Sequence, residues 1–148
     1  MGLFDMLGVS ASALSAERQR AEVTSVNLAN AETTHTDAGG PFVKKQVVFS
    51  SASSRFHGLY QTVRNSRSAP AGAVQITKVI EDTTPPVRRY EPGNPDADTA
   101  GYVSYPAINP VTEMVDLMGA ARAYQLNASA VSAAKQMIQA SIEILKSS

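Results

Sequence analysis

The sequence predicts an α+β fold: long N- and C-terminal helices, paired in coiled-coil fashion, with a small β-rich middle domain. Three observations carry this reading. Neither end of the chain has a proline inside its apolar pattern. The C-terminal end repeats apolar residues at alternating steps of three and four. Seven of the eight prolines fall within 35–109, where the helical period stops. The implied organisation is 1–34 as an N-terminal helix, 35–109 as a middle domain, and 110–148 as a long C-terminal helix.

The first helix runs from about Leu3 to Asn30. Leu7, Leu14, Ala21 and Leu28 recur every seven residues, while Arg18 interrupts the pattern. Asn30 suits the C-cap, because Asn tolerates the left-handed backbone there. In the middle, Val43–Phe49 and Val74–Ile80 carry β-branched residues in partial alternation and read as strands. Val87–Tyr90 can pair back across Thr83-Thr84-Pro85-Pro86 as a hairpin. Ser50–Ser54 and Arg64–Gly72 read as loops, and Tyr90–Tyr105 as turn-rich with a short strand at Tyr102–Tyr105.

The last helix is the clearest element. Met114, Leu117, Ala121, Tyr124, Ala128, Val131, Ile138, Ile142 and Leu145 form one seam, broken only by Lys135. Asn109 suits the N-cap and Pro110 the first helical turn, where a missing N–H is harmless. Glu113 has the favourable sign for the helix dipole.

Composition narrows the function. Thirteen Lys+Arg balance thirteen Asp+Glu. A chain that neutralises phosphates needs a basic excess, so nucleic acid is not an expected partner. The zero is a balance of −2 over 1–34, +4 over 35–67, −2 over 68–109 and 0 over 110–148. A solvated loop explains the basic stretch better than contact with an anionic surface. There is no Cys, which excludes disulfides, thiol catalysis and Cys-based zinc sites. No segment has the roughly 18 apolar residues of a membrane span. Met1–Asp5 lacks the basic start of a secretory leader.

Chemistry-bearing constellations are missing. His35 and His57 stand in no metal-ligand spacing, and no GxSxG elbow or phosphate-binding glycine loop occurs. Asp96-Ala97-Asp98-Thr99-Ala100-Gly101 imitates the start of a calcium loop, but Ala107 stands where a carboxylate is required. A loop closed by Asx turns is the better account. No cofactor, metal or small-molecule substrate is expected, and a cell-wall hydrolase built on Glu91 lacks support.

What remains is the seam. Val, Leu, Ile and Phe together make up 32 of 148 residues, a thin apolar supply for a folded chain. Ordering the C-terminal helix costs about 1–2 kcal/mol per residue. Its large apolar members return at most about 1.5–3 kcal/mol each. A core shared with neighbouring subunits is therefore expected, with a soluble coiled-coil adaptor as the rival reading.

Ser25-Val26-Asn27-Leu28-Ala29-Asn30-Ala31-Glu32-Thr33 resembles the N-terminal signature of bacterial flagellar rod and hook axial proteins. Asn27 and Asn30 match its paired asparagines. Tyr90-Glu91-Pro92-Gly93-Asn94-Pro95-Asp96-Ala97-Asp98, Gly101-Tyr102-Val103 and Ala121-Arg122-Ala123-Tyr124-Gln125 are similar to the proximal-rod members. The resemblance spans nearly the whole chain. It implies a non-enzymatic structural subunit of the proximal rod of the flagellar basal body. Such a subunit is exported through the flagellar type III apparatus and assembles helically with itself and other rod proteins. The product is a torque-transmitting tube around the export channel, crossing the periplasm. The seam residues above, with Leu7, Leu14, Ala21, Leu28, Asn27 and Asn30, are the expected helix and subunit interface. For the two asparagines, hydrogen bonding between subunits and simple helix termination both remain open.

Overall fold

The computed structural model describes residues 2–51 and 72–146. Helix α1 (Leu3–Ala29) is followed by strands β1 (Lys45–Ser51), β2 (Val74–Glu81), β3 (Val87–Tyr90) and β4 (Tyr102–Tyr105), then helix α2 (Pro110–Lys146). The α+β class is observed, with strands only between the two helices. The expected elements appear close to their expected limits. Ser50 and Ser51 belong to β1 rather than to the loop expected at Ser50–Ser54; the rest of that loop, and all but Gly72 of the one expected at Arg64–Gly72, lie outside the described residues.

Local chemistry sets the helix ends. In the first turn of α1, Asp5 accepts a hydrogen bond from the Gly2 N–H at 2.8 Å, a sign that suits the helix dipole. At the other end, the Asn30 amide donates to the Val26 carbonyl at 2.9 Å, and its oxygen accepts from the Thr33 hydroxyl at 3.2 Å. Asn109 Oδ1 caps α2 by accepting from the Val111 N–H at 3.0 Å, with Pro110 at the first helical position. The 37 residues of α2 give a length of about 55 Å.

The chain divides into two compact units. One comprises residues 1–19, 49–77 and 121–148. In it Ala16, Ala73 and Ala134 are buried, and Ser12 Oγ accepts from the Val74 N–H at 3.0 Å. Among its described residues the buried ones are all alanine. The other comprises residues 20–48 and 78–120. Its buried apolar residues are Ala31, Val103, Pro106 and Ala120, and beside them Thr24, Asn27 and Glu113 are buried too.

Strands β1 and β2 form a two-stranded sheet, and β3 and β4 form another. The β3–β4 pair is antiparallel, with Val87 opposite Tyr105 and Tyr90 opposite Tyr102. This corrects the expected hairpin across Thr83–Pro86. Asp82 Oδ1 accepts from the Thr84 N–H at 3.0 Å, and two prolines with fixed φ follow. That connection is not a hairpin turn. The strands instead close across Glu91–Gly101, where the Glu91 N–H donates to the Gly101 carbonyl at 2.9 Å. Gly101 has φ +80°, and a Cβ there would lie 2.9 Å from the Tyr90 ring and 3.2 Å from Pro92 Cβ. Only glycine fits such a position without strain.

Candidate functional site

The most buried polar arrangement among the described residues lies within the second unit, where α1, β1 and α2 converge on Asn27. Its amide Nδ2 donates to the Lys45 carbonyl at 2.8 Å and to Glu113 Oε2 at 3.2 Å. Its Oδ1 accepts from the Lys45 N–H at 2.9 Å. Glu113 Oε1 meets Lys44 Nζ at 2.6 Å. Asn27 and Glu113 are each only 2% exposed. A buried carboxylate is tolerable only when paired and hydrogen-bonded, and both conditions hold here. Seven residues before Asn27, Arg20 Nη2 reaches Asp116 Oδ1 at 3.3 Å. Contacts advance along α1 from Arg20 to Asn27 while they retreat along α2 from Asp116 to Glu113. The two segments therefore run antiparallel.

Within the single chain, Asn30 bonds at the end of α1, whereas Asn27 fastens three elements. Its value lies in geometry, since one amide presents donor and acceptor together and so matches both backbone groups of one residue. Lys44, read from sequence as part of a solvated basic stretch, is half-buried against Glu113. Arg55, Arg64 and Arg67 of that stretch lie outside the described residues, as does His57.

The remaining interface candidates divide by burial. Leu7, Leu14, Ala21, Leu28, Leu117, Val131 and Ile138 are half-buried. Met114, Ala121, Tyr124, Ala128, Ile142 and Leu145 are exposed in the single chain. Along the first half of α2 the inward positions include the seam residue Leu117, and with it Glu113, Ala120, Ala123 and Asn127, which stand one residue before Met114, Ala121, Tyr124 and Ala128. The apolar seam and the inward face coincide from Val131 to Ile138. Sequence reasoning treated Glu113 as a dipole partner alone and missed Lys44, Arg20 and Asp116. The available signal was Asn27 itself, an amide on a helix face with no terminating role.

The β3–β4 hairpin forms a second, mostly exposed polar cluster. Tyr90 and Tyr102 meet edge to face with centroids 5.3 Å apart. The Arg88 guanidinium lies 5.0 Å from the Tyr102 ring, and that of Arg89 lies 4.6 Å from Tyr105. These are diagonal cross-strand neighbours, where long side chains reach each other. Asp98 Oδ1 accepts from the N–H groups of Ala100 and Tyr102 at 2.8 and 2.9 Å, and Asp98 Oδ2 pairs with Arg88. The Asx turn expected from the sequence is thus present. The Tyr102 N–H above all, with Ala100 and Arg88, holds the Asp98 carboxyl below its ordinary range.

Glu91 accepts from Asn94 Nδ2 at 3.1 Å and from the Tyr105 hydroxyl at 2.9 Å. These bonds, Asn94's first, lower the Glu91 pKa, and the same contact raises that of Tyr105. A hydrolytic general acid needs the opposite shift. A cavity of about 260 Å³ in the other unit, lined by Ser12, Ser15, Gln19, Val74, Gln75 and Ile76 among others, holds no titratable side chain. Among the described residues no helix is long and apolar enough to cross a membrane.

Residues 7–34 match the flagella basal body rod protein family, and residues 99–144 match the C-terminal family of flagellar basal body rod FlgEFG proteins. Asn27 falls in the first match and Glu113 in the second. The chain is 37% identical to the flagellar basal-body rod protein FlgC of Bacillus subtilis, covering 99% of this chain and 100% of that protein. It is 38% identical to FlgC of Escherichia coli O6:H1 over 93% of this chain and 94% of that protein. With FlgC of Borreliella burgdorferi the identity is 32%, covering 99% of each.

Proposed function

The chain belongs to the FlgC family of flagellar basal-body rod proteins, and from that premise we propose that it builds the proximal rod by helical assembly through its terminal helices. It is a structural component of the flagellar basal body, located in the rod and serving motility. In the proposed assembly, residues 1–34 and 110–148 pair as an axial core and 35–109 face outward. Its partners are further copies and other rod proteins, and it reaches them through the flagellar export apparatus. Its work is mechanical: a stiff tube transmits torque and encloses the export channel, with no catalysis.

One observation supports this most. Leu126 and Leu145 are 72% and 79% exposed, and Tyr124, Met137, Ile142 and Ile144 are exposed with them along α2. So many large apolar side chains along one helix are costly in water and mark an interaction surface. Head-to-tail contacts between identical subunits that do not close into a ring generate helical filaments. Ile142→Asp tests the proposal. The variant chain should be secreted and should keep its helicity, yet cells should lack rods and motility. Normal motility would sink the proposed interface.

A further inference from the structure

The α1 and α2 segments of the second unit face each other with shallow side chains. Thr24 lies on the face defined by Arg20 and Asn27, and Ala120 on the face defined by Glu113 and Asp116. Leu117, half-buried, is the one large apolar side chain on the α2 face between Glu113 and Ala120, so these faces offer few of the knobs that fix alignment in most helix pairs. A seven-residue slip keeps the same faces together, so packing alone discriminates poorly between alignments. Buried polar groups discriminate well, because their partners must sit at defined positions.

We propose that Asn27, Glu113, Lys44 and the Lys45 peptide form a register lock that admits one axial alignment of these helix segments. A one-heptad slip in one direction sets Asn27 against Ala120 and leaves the Glu113 carboxylate without its amide donor. The opposite slip carries Asn27 past the start of α2 at Pro110. In both cases the Asn27–Glu113 bond is lost. Lys45 gives the lock its third point. It belongs to β1, so Asn27 is held to a strand as well as to α2 and cannot follow a sliding helix. The Arg20–Asp116 pair marks the same alignment, but both side chains are a third or more exposed and the pair contributes less. The inference concerns the fold of a single chain and stands apart from what that chain assembles with.

The absence of cysteine makes the test direct. Nitroxide labels are placed at Ser25→Cys and Met118→Cys, both exposed positions, in the full chain. Pulsed electron–electron resonance should give one narrow distance distribution. Replacing the lock with apolar residues (Asn27→Leu, Lys44→Met, Glu113→Leu) should preserve helicity and add a second population. Its labels should be displaced by about 10 Å along the helix axis, the rise of seven residues. Glu113→Gln keeps an acceptor for Asn27 and should retain the single distance. One narrow distance in the apolar variant overturns the lock, as does a broad distribution in the unaltered protein. If the apolar variant loses helicity, Asn27→Ala with Lys44 and Glu113 intact replaces it. The second population is expected there too, and its absence overturns the proposal.

Discussion

Replacing Asn27 by alanine isolates the central fastening. The side chain makes three hydrogen bonds, two with the Lys45 peptide and one with Glu113. A buried group left without a partner costs about 1–3 kcal/mol. The Lys45 peptide is only half-buried, so water recovers part of its loss. Glu113 is 2% exposed, and Lys44 is then its only polar partner among the contacts described. A total of about 2–4 kcal/mol follows, a large share of the 5–15 kcal/mol that typically holds a domain together. Asn30→Ala is the control. It removes two short-range bonds at the helix end and should cost about 0.5 kcal/mol. Urea unfolding of the isolated chain, followed by far-ultraviolet circular dichroism, measures both. Equal losses for the two variants, or an Asn27→Ala loss below about 0.5 kcal/mol, would refute the reasoning.

Two further outcomes follow from named contacts. Glu113→Leu leaves Lys44 half-buried with no carboxylate opposite it. Glu113→Leu with Lys44→Met removes both charges and should be more stable than the single variant by about 1–3 kcal/mol in the same urea assay. The Asp98 carboxyl sits below its ordinary value of 3.8 in the folded chain. Its contribution is therefore complete above that value and fades as pH falls through the lowered one. Amide exchange at Val103 and Tyr105 should accelerate in that acidic window in the native protein, and Asp98→Asn should lose the pH dependence.

The parts of the fold that local chemistry decides were legible in the sequence. Asn109-Pro110 set the start of α2 and Asn30 the end of α1. The partner of β3 was not legible, because strand pairing depends on the long-range closure of Glu91–Gly101 by Asp98 and Gly101. The burial of Glu113 on α2 was not legible for a similar reason. Hydropathy ranks Met114 and Tyr124 as interior and Glu113 as surface, yet Glu113 is buried because Lys44 and Asn27 meet it there. Both partners are more than sixty residues away in sequence. The large apolar residues that made α2 conspicuous are mainly those the single chain leaves exposed, so periodicity was reporting a surface as well as a core.

Labelling Leu126→Cys and Leu145→Cys with a water-soluble maleimide, in the isolated chain and in purified basal bodies, tests the central claim most directly. The account predicts fast reaction at both positions in the isolated chain and strong protection in the assembled rod. Equal reactivity in the two states would contradict it.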